Sequence, residues 1–380
     1  MIILDIFKII SELNNEDLHP KYKLLRDEYY YINAKNIVEE WVAGFVDRDQ
    51  KIIKEFQTTF HSSFWEFYLH AVFKELGWVV DYKNNRPDFI VTSPEEIYVE
   101  AVVSEIKKGG IPESERTPEQ PLEMLSPIST REEFSMIIDE AIVRHSNSIL
   151  SKHKKYTGYK TSKKTHKGYK DCDWIKEDKP YVIALASYDQ ISYGREYIYS
   201  MMALLYNFYY CPETEAYYKL GSIKKPGTDS DIKLGLFTDN SLEDVSAIIF
   251  CNTLTLGKLS SLSKSRGSDV SYVINVRHDM DPPHYKIYEV NEYAPEHLLD
   301  GLYVFHNPYA KNKISSVEID KSGVLQYSIV NNQVKTEGAY FPLVARHCQP
   351  SMFVPTKDLK ELFKGTAASN YNKTQAFEAL

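Results

Sequence analysis

Between Phe56 and Ala186 the hydrophobic pattern changes period three times, and the order of those changes constrains the fold more tightly than anything else in the chain. Phe56, Phe60, Phe64, Phe67, Ala71 and Leu76 recur at helical spacing as far as Gly77, the residue type expected just past a helix end. Three short β-type runs follow, WVVDY at 78–82, DFIVT at 88–92 and IYVEAVVS at 97–104, separated by the turn-rich NNRP and SPEE. That spacing predicts a tight antiparallel meander. After a Pro-rich loop across 112–127, the stretch from Thr130 to about Tyr156 reads as a long helix with Thr130 as its cap. PYVIALA at 180–186 then reads as a buried strand. The expected class is α/β, with a core ordered helix, three-strand meander, helix, strand.

The chain has 380 residues, more than one ordinary domain. The predicted division is a helical N-terminal element at 1–55, the core at 56–190 and an α+β C-terminal extension at 191–380. The extension is expected to hold a helix around 194–209 and strands near 245–252, 271–276 and 285–290. Hydrophobic residues at 43% and charged residues at 26% describe a folded protein rather than a disordered one. No apolar run is long enough to span a bilayer, and Asp5 stands where a signal peptide needs basic residues. Cys172, Cys211, Cys251 and Cys348 lie far apart with no CxxC pair, which speaks against a zinc ribbon or a disulfide scaffold. A cytoplasmic protein is expected, with no membrane partner; a homodimer is allowed by the sequence without being indicated by it.

Asp88 follows Pro87 at the opening of one predicted strand, and Glu100 sits inside the next, flanked by apolar residues. A carboxylate within an apolar β-run is costly unless it is paired or holds a metal. If the two strands pair through the SPEE turn, both carboxylates converge at one end of the sheet, where hard oxygen ligands suit magnesium or manganese. Glu66, on the preceding helix, is the third candidate. Taken singly, each acid has an ordinary alternative as a turn cap or a solvated side chain.

PDF at 87–89 and VEAVVSE at 99–105, preceded by the helix EFQTTFHSSFWEFYLHAVFKELG, resemble the core of the PD-(D/E)XK nucleases. The resemblance covers about residues 56–186 and implies a restriction-endonuclease-like fold, magnesium-dependent cleavage of nucleic acid, DNA before RNA, and a setting such as restriction or phage defence. It matches Glu66, Asp88 and Glu100 to the helix acid, the motif Asp and the motif Glu, with Asp88 and Glu100 as metal ligands. It departs at Val102, where the motif Lys is expected. Some members carry the basic residue on the following helix instead. Here Arg144, Ser148, Lys152 and Lys155 fall within an arc of about 80° on an ideal helix, and Lys152 is the first choice for the migrated catalytic lysine, with Lys155 second.

A net charge of −8 argues against a polyanionic partner, but the charge is unevenly distributed. Ser151 to Lys170 carries eight lysines and no acid, with Tyr156, Tyr159 and Tyr169 interleaved. Lys155, Lys160, Lys163, Lys164 and Lys167 from this segment, with Arg144 earlier on the helix, are the candidate nucleic-acid contacts, with phosphate pairing and base stacking as the physical means. RHDMDPPHYKI at 277–287 groups His278, Asp279, Asp281 and His284, but the tandem prolines favour a surface loop and no zinc spacing is met. Walker A, dinucleotide-type glycine and nucleophile-elbow motifs are absent. The rival readings are a non-catalytic nucleic-acid-binding or scaffold protein with a degenerate nuclease fold, and a carboxylate-pair hydrolase such as a glycosidase.

Overall fold

The computed structural model describes residues 4–106, 109–112, 115, 131–162, 164–188, 194–279, 285–315, 317–338 and 341–353. Most of the expected Pro-rich loop, its Thr130 cap, Lys163, Asp281 and His284 lie outside the described residues. The fold is mixed α/β. The expected core elements occur in the expected order: helix His61–Glu75, strands Val79–Asp81, Phe89–Ser93 and Ile97–Val103, helix Arg131–Thr157, and strand Tyr181–Ala186.

These strands belong to an eight-stranded sheet whose spatial order is Val79–Asp81, Phe89–Ser93, Ile97–Val103, Tyr181–Ala186, Ala247–Cys251, Leu302–His306, Leu325–Val330 and Gln333–Glu337. The first three form the antiparallel meander. The Ile97–Val103, Tyr181–Ala186 and Ala247–Cys251 strands then run parallel, as a helical crossover between strands requires. The boundary expected near residue 190 therefore does not divide the sheet, because the C-terminal half adds its remaining strands to the same ladder.

Alternation along the strands sorts their side chains between two cores. Val99, Ala101, Val182 and Ala184 pack on one face with Phe64, Phe67 and Val72 of the His61–Glu75 helix and with the N-terminal helices. Tyr98, Tyr181, Ile183 and Leu185 pack on the other face with Ile142 and Ile149 of the Arg131–Thr157 helix. Trp65 donates its indole N–H to the Ala184 carbonyl at 2.9 Å and pins the first helix across the sheet.

The continuous helix expected from Glu55 is broken instead into Ile52–Thr58 and His61–Glu75. Thr58 and Thr59 turn their hydroxyls back onto the Lys54 and Glu55 carbonyls, a backbone bond that competes with helix propagation. Phe60 then takes φ +60° and buries its ring against Phe56, Phe64 and His19.

A second, three-stranded antiparallel sheet, Tyr285–Glu289, Ser271–His278 and Leu343–Pro350, packs on helix Leu256–Lys264. A buried ionic knot joins them. Glu296 accepts from Lys258 at 2.8 Å, Arg346 Nε at 2.7 Å, Ser261 at 2.6 Å and Asn275 at 3.1 Å. Burial pushes the Glu296 carboxyl up, but the Arg346 and Lys258 charges outweigh it and hold the group far below the ordinary carboxylate range.

Candidate active site

Phe89 pairs with Val99, so one further step along the ladder brings Asp88 beside Glu100. Asp88 Oδ2 accepts the Ala101 N–H at 2.7 Å, which fixes the carboxylate against the neighbouring strand. Glu100 shares the face of Tyr98, the face covered by the Arg131–Thr157 helix. Val102 is also on that face and packs into the same core. A side chain descending from the helix can therefore meet the Glu100 face of the sheet.

Lys152 reaches that face. Its Nζ donates to Glu100 Oε1 at 2.7 Å and lies 3.9 Å from Asp88 Oδ2. Only 15% of its side chain is exposed. Burial alone would depress the Lys152 ammonium, but the Glu100 and Asp88 carboxylates raise it above the ordinary lysine value, so it stays charged. Lys155, one turn on, is exposed; the helix ends two residues later at Thr157.

Glu66 enters from the helix on the opposite face. Burial first, then the charge of Asp88, pushes its carboxyl well above the usual range, against the lowering influence of Arg48 and Lys152. Asp88 is pushed up to about 6, by burial and by Glu100, although Lys152, the Ala101 N–H and Arg48 oppose the shift. A quarter of the Asp88 side chain remains accessible, at 26%. The four residues expected to carry chemistry thus form one electrostatically coupled group.

Two further residues complete the group. Tyr169 donates its hydroxyl to Glu100 Oε2 at 3.0 Å and meets Tyr181 at 2.9 Å. Arg48 donates to the carbonyls of Asn84 at 2.5 Å, Pro87 at 3.3 Å and Asp88 at 2.9 Å, clamping the turn that presents Asp88. Neither carries a local sequence signal, since each meets its partner through tertiary folding.

Among the described residues no three His, Cys, Asp or Glu side chains are arranged to cage a metal. The donor set still fits magnesium, which is commonly held by one or two carboxylates with water and substrate oxygens completing its shell. Each carboxylate has about four lone-pair sites, so Asp88 and Glu100 retain acceptor capacity beyond the hydrogen bonds described. Burial first, then the Glu100 charge, raises Asp88, and the second of these is the kind of repulsion a cation relieves.

The basic segment separates into an inner and an outer set. Lys154, Lys155, Lys160, Lys164 and Lys167 are exposed around the hairpin formed by Gly158–Lys160 and Thr165–Lys167. Tyr159 is exposed and stacked on His166. Tyr156 and Tyr169 turn inward, Tyr156 stacking on Tyr181 at 4.0 Å, so they are not free to stack on bases. Arg144 requires a correction: it is 4% exposed and its guanidinium lies against the Ser104 carbonyl and the Ser187 hydroxyl. It shares the stripe of Lys152, and that stripe faces the sheet, so Arg144 lies within the core rather than at a nucleic-acid surface. Asp279 is buried and paired with Lys286, in keeping with a structural reading of that acid. No described helix is long and apolar enough to cross a membrane.

Comparison with family models, curated proteins and solved structures gives no match for this chain.

Proposed function

We propose that this chain is a metal-dependent nuclease with a restriction-endonuclease-like core, hydrolysing phosphodiester bonds of nucleic acid, with DNA as the first substrate to test. The observation that carries the reading is the insertion of Lys152 between Asp88 and Glu100, at 3.9 and 2.7 Å, beside a strand whose position 102 is Val and brings no cation of its own. One ammonium here serves two acids, with a third, Glu66, coupled to them.

Magnesium held by Asp88 and Glu100 would polarise the phosphate and lower the pKa of a bound water. Lys152 supplies a fixed positive charge where negative charge grows on the phosphate, and preorganised charge of this kind costs no reorganisation during reaction. Its Nζ also orients the Glu100 carboxylate, whose other oxygen is held by Tyr169. Glu66, whose carboxyl burial and the charge of Asp88 raise well above the usual range, is the group in this cluster best placed to exchange a proton. Arg48 fixes the Asp88 turn through backbone carbonyls and takes up none of the carboxylate's own oxygens. The exposed lysines at 154–167 offer phosphate contacts beside the site.

Incubating the purified chain with plasmid and with single-stranded substrates, in magnesium and in chelator, tests the proposal. Metal-dependent cleavage that disappears in Glu100→Gln supports it. Binding without cleavage in any metal favours the non-catalytic binding protein, and inertness toward nucleic acid removes both.

A further inference from the structure

A cleft of about 480 Å³ opens beside this site, lined by Lys83, Asn84, Asn85, Arg86, Cys172 and Trp174. Its size falls within the range of small-ligand pockets. One wall is the turn that leads through Pro87 into Asp88; the other follows Tyr169, the residue that holds Glu100. Both walls are fixed. Arg48 donates to the Asn84 carbonyl, and the Trp174 indole N–H donates to the Arg86 carbonyl at 2.8 Å. Tyr98, from the Glu100 strand, donates to the Trp174 carbonyl at 3.3 Å.

The lining has an unusual composition for a surface turn. Trp174 is 40% exposed, whereas Trp41, Trp65 and Trp78 are each 6% exposed or less. Lys83 and Arg86 are exposed cations at the same rim, and Asn84 and Asn85 bring amide groups that can both donate and accept. Asp173 stands between Cys172 and Trp174 in sequence but is not among the residues lining the cleft.

We infer that this cleft receives an unpaired nucleotide of the substrate strand, its base against Trp174 and its phosphate toward Lys83 and Arg86, so that the substrate class is single-stranded or locally unwound nucleic acid. The inference rests on the nuclease reading for its placement beside the scissile bond, but the binding chemistry is the cleft's own. An exposed indole gains by stacking on a base whose face is open. In an intact duplex those faces are already covered by neighbouring base pairs, and Trp174 would find only groove and backbone. The cations give the electrostatic attraction to phosphate, and the amides reach the base edges.

The test uses the full chain in chelator, where magnesium-dependent cleavage cannot occur, with oligothymidylate and oligouridylate of about twelve nucleotides, a length within the usual site sizes, and a matched duplex. Single strands should quench tryptophan emission, while the duplex should not. Trp174→Ala should remove the quenching and weaken single-strand affinity about tenfold or more by anisotropy, with duplex affinity unchanged. Trp174→Phe keeps an aromatic face but loses the indole N–H, and should bind within a few-fold of the parent. The thymidylate and uridylate arms tell DNA from RNA; preference for either sustains the inference. Equal quenching by duplex and single strand overturns it. So does parental affinity in Trp174→Ala, or a Trp174→Phe variant as weak as Trp174→Ala, which would assign the residue to holding the turn. Trp174-dependent binding without cleavage in magnesium retains the cleft and removes the nuclease reading. Cleavage with binding indifferent to Trp174 does the reverse.

Discussion

Lys152 Nζ rests 2.7 Å from Glu100 Oε1 across 52 residues of sequence, one on a helix and the other on the strand beneath it. Because the cation and the acid belong to different elements, their contact depends on the docking of helix on sheet as well as on either segment.

Lys152→Ala should slow single-turnover cleavage about a hundredfold or more, the usual scale for one preorganised electrostatic donor, with a much smaller change in substrate affinity. Lys155→Ala, on the exposed end of the same helix, should cut at nearly the parental rate. Quench-flow comparison of the two variants decides between them, and parental rates in both would exclude a migrated lysine.

Asp88→Asn should abolish cleavage and stabilise the metal-free fold at pH 8. In the fold the Asp88 carboxyl is pushed up to about 6, above the ~3.9 of an unfolded chain. The protonated form is therefore favoured by folding. The penalty for ionisation is absent below about 3.9, grows as pH rises, and is complete above about 6. Urea titrations should show a gain of up to about 3 kcal/mol at pH 8 and almost none at pH 4. A uniform gain or loss across this range would exclude Asp88 as the source.

Changing Lys155, Lys160, Lys164 and Lys167 to Gln should flatten the salt dependence of nucleic-acid binding by roughly 0.7 to 0.9 in log–log slope for each lysine–phosphate pair removed. All four are exposed, so the substitutions should leave the thermal midpoint near the parent's. An unchanged slope would show that this face does not meet phosphate.

Glu296→Ala should destabilise the chain by about 3–5 kcal/mol, because it strands the buried Lys258 and Arg346 cations without their shared partner. Chemical denaturation at pH 7 measures it. A loss under about 1 kcal/mol would mean that water or a rotamer change replaces the carboxylate.

Element order was legible because each change of period spans enough residues to register, and Lys152 because its helical phase is fixed by the same periodicity that defines the helix. The phase gives a face and not what that face meets: Arg144 shares the stripe of Lys152 yet ends against Ser104 and Ser187. The break at Phe60 was hidden because Phe56, Phe60 and Phe64 keep helical spacing across it. Arg48 and Tyr169 could not be found locally, since they join Asp88 and Glu100 over 40 and 69 residues. Strand order in the C-terminal half is nonlocal in the same way.

That shared sheet limits how the chain can be shortened. Tyr181–Ala186 is buried throughout and hydrogen-bonded on both sides, to the Glu100 strand and to Ala247–Cys251. A fragment ending near residue 190 would keep the acids and Lys152 but leave the YVIALA strand as a bare apolar edge, a template for pairing with other copies. It should precipitate or form β-rich assemblies, so a fragment cut at that point would be lost to self-association even with Asp88, Glu100 and Lys152 all present.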